Sequence, residues 1–291
     1  MRRYKKIFAV LKYRSLRLFE VTKLRIQGRL RGIGRERIPI TFSTQKEWEP
    51  EILKSIDNKQ YAVRLLAFNK IKPEPKNVLV ALTVEDQILL STAGDSNLTN
   101  HYFLSPPQTA IEICDDKWTF CEWMMNQGFE SNIPPITKFE DQIDYPYILK
   151  KRVDAFGRNA HIIRERSDLE AIEVSDPSEY YKQAYIIDDH EYTCHILYKD
   201  GCIEFSKTLC FQYKSNYYVK GVQCAYSSRT ELDSCLFLDL FGSILAAMDF
   251  NGICCFNYKL IEGQCYIFEI NPRVGASLLP YLNEVVRKYR N

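Results

Sequence analysis

The chain has 291 residues, 46% hydrophobic and 26% charged, with 39 Lys and Arg against 37 Asp and Glu. That composition suits one or two globular domains with real cores, and no low-complexity tract or internal repeat interrupts it. No apolar run reaches the roughly 18 residues of a membrane span, and the N-terminus lacks the apolar stretch and small-residue cleavage site expected of a signal peptide.

The ten cysteines are scattered and form no CxxC pair. They read as reduced, mostly buried thiols of a cytoplasmic protein. Charge is uneven: residues 1–37 hold 13 Lys and Arg against Glu20 and Glu36, a balance of +11 that leaves −9 on the rest. Tyr4, Ile7, Phe8, Leu11 and Leu18 recur at helical spacing in that basic segment. Such a helix could lean on its own domain, pair with a second copy as a homodimer, or meet an anionic polymer or the inner face of a membrane. Nucleic acid is not the expected partner.

"IPITF" (Ile38 to Phe42) reads as a strand, "EPEILKSIDNKQ" as a short helix and "YAVRLLAF" as another strand. "NVLVALTVEDQILLS" begins as a strand and ends as a helix, so the region is predicted to be a small α/β layer. A helix is predicted from Asp115-Asp116, through Trp118, Cys121, Trp123 and Met125, to a stop at Gly128. "YPYILKK" and "AHIIRE" read as strands around a turn at Gly157, and "DLEAIEV" as a helix. "QAYIIDDHEYTCHILYKDGCIEF" gives two strands about Asp188-Asp189 and a hairpin at Lys199-Asp200-Gly201. The apolar run Cys235 to Met248 reads as a buried helix.

The closing segment, "CCFNYKLIEGQCYIFEIN", must turn near Glu262-Gly263. A three-residue turn centred on Gly263 puts Phe256, Tyr258 and Leu260 on one face with Tyr266, Phe268 and Ile270. It collects Asn257, Lys259, Glu269 and Asn271 on the other. A carboxylate in such a strand needs a cation in front of it. Oxygen donors without sulfur or imidazole suit a hard ion such as Mg²⁺, and a simple ion pair of Glu269 with Arg273 is the alternative.

Taken in order, these segments resemble the ATP-grasp superfamily, whose members include carboxylate–amine ligases such as D-alanine–D-alanine ligase. The resemblance runs from about Asp115 to Leu279, more weakly back to Ile38, and is carried most specifically by "FNYKL…YIFEINPRVGAS". It implies an α+β fold of two subdomains clamping ATP, residues 113–187 and 188–291, preceded by a small α/β domain over 38–112 and the basic segment 1–37. It also implies nucleotide contacts at Lys117, Lys150, the loop around Gly157, the hinge residues Gln183, Ala184, Tyr185, Ile186 and Ile187, and Glu191 on the ribose. Asn257, Glu269 and Asn271 take the metal positions, for Mg²⁺ or Mn²⁺. Arg273, Lys220 and Lys207 fall where the family faces its reacting groups.

The implied reaction is ATP-dependent ligation of a carboxylate, small or glycan-borne, to an amine through an acyl phosphate, releasing ADP and phosphate. A nucleotide-binding regulatory protein or a kinase of the same fold are the alternatives. The chain departs from the family pattern in three places. Its phosphate loop is glycine-poor (Ala155, Phe156, Gly157, Arg158, Ala160), Asn257 stands where many members carry an acid or Gln, and Ala184 replaces a hinge residue that is often acidic. The four histidines, His101, His161, His190 and His195, lack metal-ligand spacing.

Overall fold

The computed structural model describes residues 17–28, 30, 36–72, 77–93, 97–155, 157–221 and 224–290. Of the predicted basic helix, Tyr4, Ile7, Phe8 and Leu11 lie outside the described residues. Residues 17–28 form helix α1, on which Leu18 is exposed. The chain divides into two compact units, one of residues up to Ser105 together with Arg273 onward, the other Pro106–Pro272. Among the described residues no helix is long and apolar enough to cross a membrane.

The first unit is built on a parallel sheet of β1 (Ile38–Phe42), β2 (Tyr61–Leu65) and β3 (Val78–Val80), in the order β2-β1-β3. Central strands of parallel sheets are covered on both faces and read as apolar runs; Ile40 and Phe42 of β1 are fully buried accordingly, and so is Leu79 of the neighbouring β3. Helices α2 (Glu49–Ser55) and α3 (Val84–Ser91) follow β1 and β3, and Thr83 caps α3 by accepting from the Asp86 N–H at 3.2 Å.

The last helix of this unit comes from the far end of the chain. It is labelled α8 (Leu282–Arg290), since α4 to α7 precede it in sequence, and it buries Leu282, Val285, Val286 and Tyr289, one face at i, i+3, i+4 and i+7. Each such side chain contributes about 2 kcal/mol by area burial. The Asn283 side chain accepts from the Asp57 N–H at 3.0 Å, and the Tyr289 hydroxyl accepts from the Leu104 N–H at 2.9 Å. The C-terminal helix therefore belongs with the N-terminal layer.

The second unit opens with two helices, α4 (Gln108–Asp115) and α5 (Lys117–Asn126). Where the sequence suggests one helix beginning at Asp115-Asp116, the chain breaks between two. Asp116 leaves helical geometry and its carboxylate caps α5, accepting from the N–H groups of Trp118 at 3.0 Å and Thr119 at 3.3 Å. An antiparallel sheet of β4 (Ile136–Lys138), β5 (Tyr147–Lys151), β6 (Ala160–Ile163) and β7 (Tyr180–Ala184) runs in the order β4-β7-β5-β6. The short helix α6 (Arg166–Glu170) reaches only the first residues of "DLEAIEV".

Five further antiparallel strands follow: β8 (His190–Lys199), β9 (Cys202–Gln212), β10 (Ser228–Leu232), β11 (Gly252–Ile261) and β12 (Gln264–Asn271), ordered β10-β9-β8-β11-β12. Helix α7 (Leu238–Ala247) buries Phe241, Ile244 and Leu245, and the Phe241 ring stacks on Phe256 of β11 at 4.2 Å.

The final hairpin corrects one expectation. Its turn has two residues, with Ile261 paired to Gln264 and both Glu262 (φ 49°) and Gly263 (φ 83°) left-handed. Taken alone that turn would put Asn257 opposite Phe268. A β-bulge intervenes: Tyr258 pairs with Ile267 and Asn257 with Glu269, leaving Phe268 as the extra residue. Asn257 thus faces Glu269 as expected, by a different route. The core face consequently consists of Phe256, Tyr258, Cys265, Ile267 and Ile270, whereas Tyr266 and Phe268, expected there, stay outside the core.

Candidate functional site

The bulge gathers a polar cluster on the other face of the hairpin. Glu269 Oε1 accepts from Asn257 Nδ2 at 2.7 Å and from Asn271 Nδ2 at 3.0 Å. Its other oxygen lies 3.9 Å from Lys117 Nζ. Burial pushes the carboxyl pKa up, but Lys117, the Asn271 amide, Lys150 and the Asn257 amide outweigh it and hold it at about 2. The cations in front of this carboxylate are thus lysines from two other elements.

Lys117 is the first residue of α5, placed there by the Asp116 cap; its own N–H donates to Arg152 O at 3.0 Å, and Arg152 forms a 2.6 Å ion pair with Asp116. Its ammonium donates to Asp154 O at 2.7 Å. Lys150 comes from β5 and donates to Gln183 Oε1 on β7 at 2.7 Å, with its ammonium 5.2 Å from the centre of the Phe268 ring. Burial lowers the pKa of Lys150, with Glu269 and Cys121 opposing and Lys117 adding to the fall. The bulge residue Phe268 is the site residue that alternation in the sequence hides.

A loop of residues 152–159 joins β5 to β6. Asp154 braces it from within, accepting from the Asn159 N–H at 2.9 Å. Gly157 sits at φ 64°, and a Cβ there would lie 2.6 Å from Lys220 O. Only glycine permits both that backbone conformation and that approach. Phe156 lies outside the described residues.

Lys220 is central. Its ammonium reaches Thr193 Oγ1 at 2.6 Å, Asn257 Oδ1 at 3.0 Å and Glu191 Oε1 at 3.1 Å, above the Phe211 ring at 4.7 Å. Glu191, expected to meet ribose, is buried and ion-paired to this lysine. Lys207 of β9 forms an ion pair with Glu231 of β10. Arg273 belongs to the first unit and donates to Val274 O at 2.9 Å.

The hinge between β7 and β8 is partly committed. The N–H groups of Ala184 and Tyr185 donate to Pro135 O at 2.8 Å and Pro146 O at 3.1 Å. The carbonyls of Ile186 and Asp188 accept from Lys259 Nζ at 2.8 and 3.0 Å. Gln183 is fully buried and engaged by Lys150, and the Ile187 side chain is exposed. Lys259 is 2% exposed, with Tyr218 and Tyr185 rings 4.3 and 4.9 Å from its ammonium. Burial lowers its pKa to about 8 against the pull of Glu191 and Asp188. A lysine in an alternating strand reads as solvated, so its role as the anchor of the hinge carbonyls is not legible from sequence.

The donor set fits a hard cation in part. Glu269 offers a carboxylate and Asn271 an amide oxygen, both types that Mg²⁺ or Mn²⁺ accepts. Asn257 turns its nitrogen to Glu269 and its oxygen to Lys220 and Thr193. Elsewhere, Asp188, Asp189 and His190 bring three potential ligand atoms within 4.8 Å of one another, a juxtaposition that the spacing of the histidines does not announce. His190 Nδ1 lies 2.6 Å from Asp189 Oδ1 within this group.

No protein-family model matches the chain. A relative from Mycoplasma pneumoniae, an uncharacterized protein MG011 homolog, is 20% identical over 159 residues, which are 54% of this chain and 55% of the relative. The chain thus spans about half the length of that relative. D-alanine–D-alanine ligase from Bacillus anthracis superposes with TM-score 0.60 at 17% identity over 86% of this chain and 92% of the ligase. Phosphoribosylamine–glycine ligase from Thermotoga maritima gives 0.64 at 14% identity, covering 87% and 75%. N5-carboxyaminoimidazole synthetase from Staphylococcus aureus, complexed with ADP, gives 0.59 at 14% identity, covering 84% and 73%. Together with the strand order and the closing hairpin, these likenesses identify the architecture: the chain carries the ATP-grasp fold over most of its length.

Proposed function

We propose that the chain binds a divalent-metal complex of ATP at the Glu269 cluster and uses it to join a carboxylate to an amine, releasing ADP and phosphate. The observation that carries this reading is the convergence of Lys117 and Lys150 on a Glu269 carboxylate held ionised down to about pH 2. Structures of the same fold complexed with ATP and with ADP support it.

A triphosphate carries about four negative charges, so its transfer is a problem of charge placement more than of covalent chemistry. Lys117 and Lys150 supply fixed positive charge from a helix start and a strand, elements that hold position better than loops. The loop at Gly157, drawn against Lys220 O, would help keep water from the phosphoryl being transferred. Mg²⁺ or Mn²⁺ at Glu269 and Asn271, when bound, would neutralise phosphate oxygens. An acyl phosphate formed on the acid is then open to attack by the amine, whose proton must leave to a base or to solvent.

The test is product analysis with purified chain, Mg²⁺-ATP and panels of acids and amines. ADP and phosphate release that requires both an acid and an amine is expected; AMP and pyrophosphate as products would overturn the reading. Glu269→Ala is expected to weaken Mg²⁺-dependent nucleotide binding by about 100-fold, roughly 2.8 kcal/mol. An unchanged affinity and metal requirement by calorimetry would also overturn it.

A further inference from the structure

We infer that Asn257 is a positioning residue and not a metal ligand, and that the Lys220 ammonium is the cation at its corner of the site, so that Glu269 and Asn271 hold a single divalent ion. The inference rests on the nucleotide reading above and refines it.

Hydrogen-bond chemistry fixes the orientation of the Asn257 amide. Its nitrogen donates to Glu269 Oε1 at 2.7 Å, and its oxygen accepts from Thr193 Oγ1 at 2.9 Å and Lys220 Nζ at 3.0 Å. Turning the amide over would set a carbonyl oxygen against a carboxylate oxygen and an NH₂ against an ammonium. The hydrogen bonds to Glu269 and Lys220 would be exchanged for repulsive contacts, leaving only the Thr193 hydroxyl as a suitable partner. As it stands, both lone pairs of the amide oxygen are used.

Lys220 is equally committed. An ammonium has three donors, and three acceptors surround this one: Thr193 Oγ1, Asn257 Oδ1 and Glu191 Oε1. Thr193, 2% exposed, both accepts from Lys220 and donates to Asn257, so its hydroxyl has no orientation left to choose. Glu191, Lys220, Thr193, Asn257 and Glu269 form one continuous chain across β8, β11 and β12 with its positive charge built in.

A divalent ion ligated by Asn257 Oδ1 would sit about 2.1 Å from an oxygen that already lies 3.0 Å from a fixed ammonium. A doubly charged ion and the ammonium would repel one another at close range, where little solvent screens them. The lysine and the ion compete, and the lysine is covalently present. Charge count agrees: the two carboxylates of Glu191 and Glu269 face three ammoniums, those of Lys220, Lys117 and Lys150, so no negative charge is left over to hold a second divalent ion.

The experiment counts Mn²⁺ bound per bound AMP-PNP by electron paramagnetic resonance on the full chain. Wild type is expected to hold one ion. Asn257→Asp, which adds a carboxylate, and Lys220→Met, which removes the resident cation, are each expected to hold two, with far-UV circular dichroism confirming that each folds. Two ions in the wild type, or one ion in both folded variants, would overturn the inference and leave the nucleotide reading standing. AMP-PNP that binds with no Mn²⁺ at all would overturn both.

Discussion

The two faces of the final hairpin come from the same eighteen-odd residues and obey different rules. One face, with Phe256, Tyr258, Cys265, Ile267 and Ile270, is buried against α7 and belongs to one apolar cluster. The other carries Asn257, Lys259 and Glu269, tied to partners on other elements, and Asn271, which donates to Glu269 on its own strand. Apolar packing is non-directional and its cost of damage scales with volume lost. The polar face is directional, so its damage shows as lost geometry and misplaced charge, not as lost area. Stability should therefore reside on one face and nucleotide affinity on the other.

The strongest way to break that division is a matched pair of truncations. Phe256 is fully buried and stacks on Phe241 at 4.2 Å. Phe256→Ala is expected to cost about 3–5 kcal/mol of unfolding free energy, measured by urea denaturation, while the fraction still folded binds ATP with affinity within a few-fold of wild type. Glu269→Ala should do the reverse. If the alanine at 256 weakened nucleotide binding as much as the alanine at 269, the faces would not be separable.

A second substitution sharpens the polar side. Gly157→Ala forces an L-residue to φ 64° and drives its Cβ to 2.6 Å from Lys220 O. The backbone strain alone is about 1–2 kcal/mol, so the loop should detach from Lys220 and hydrogen exchange in residues 154–159 should speed up about tenfold. Because the loop lies on the surface side of the cluster, the urea midpoint should barely move. A large fall in midpoint with unchanged loop exchange would contradict the placement of Gly157 against Lys220.

Much of this was legible in the sequence, for identifiable reasons. Hydrophobic alternation on the two strands calls for a register that puts Asn257 opposite Glu269, and the carboxylate's need for a cation points to lysines elsewhere. The device that sets the register was not legible. A three-residue turn, and a two-residue turn followed by a bulge, both bring Asn257 opposite Glu269, and only coordinates distinguish them. That ambiguity concealed Phe268 beside Lys150. The Gln108–Asp115 helix is not legible in the sequence, because Asp116 reads as a start without revealing what precedes it. The partner of Lys207, Glu231, lies on a strand, Ser228–Leu232, whose residues are almost all exposed and whose pattern carries little apolar signal.

The smallest effect expected is on the pH dependence of stability, and it isolates Lys259. Burial lowers its folded pKa from 10.5 to about 8. Between those values the unfolded chain binds more protons than the folded one, so stability rises with pH across that window. The cost of holding the ammonium in place is fully present below about pH 8 and is relieved as the pH approaches 10.5. Lys259→Met keeps the buried stem, removes the titrating group, and leaves the carbonyls of Ile186 and Asp188 without their 2.8 and 3.0 Å donor. Unfolding free energies measured from pH 7.5 to 10 should therefore climb more steeply in wild type than in the methionine variant. Parallel curves would mean that the lysine titrates as it does in water, and that its hydrogen bonds to the hinge are not maintained in solution.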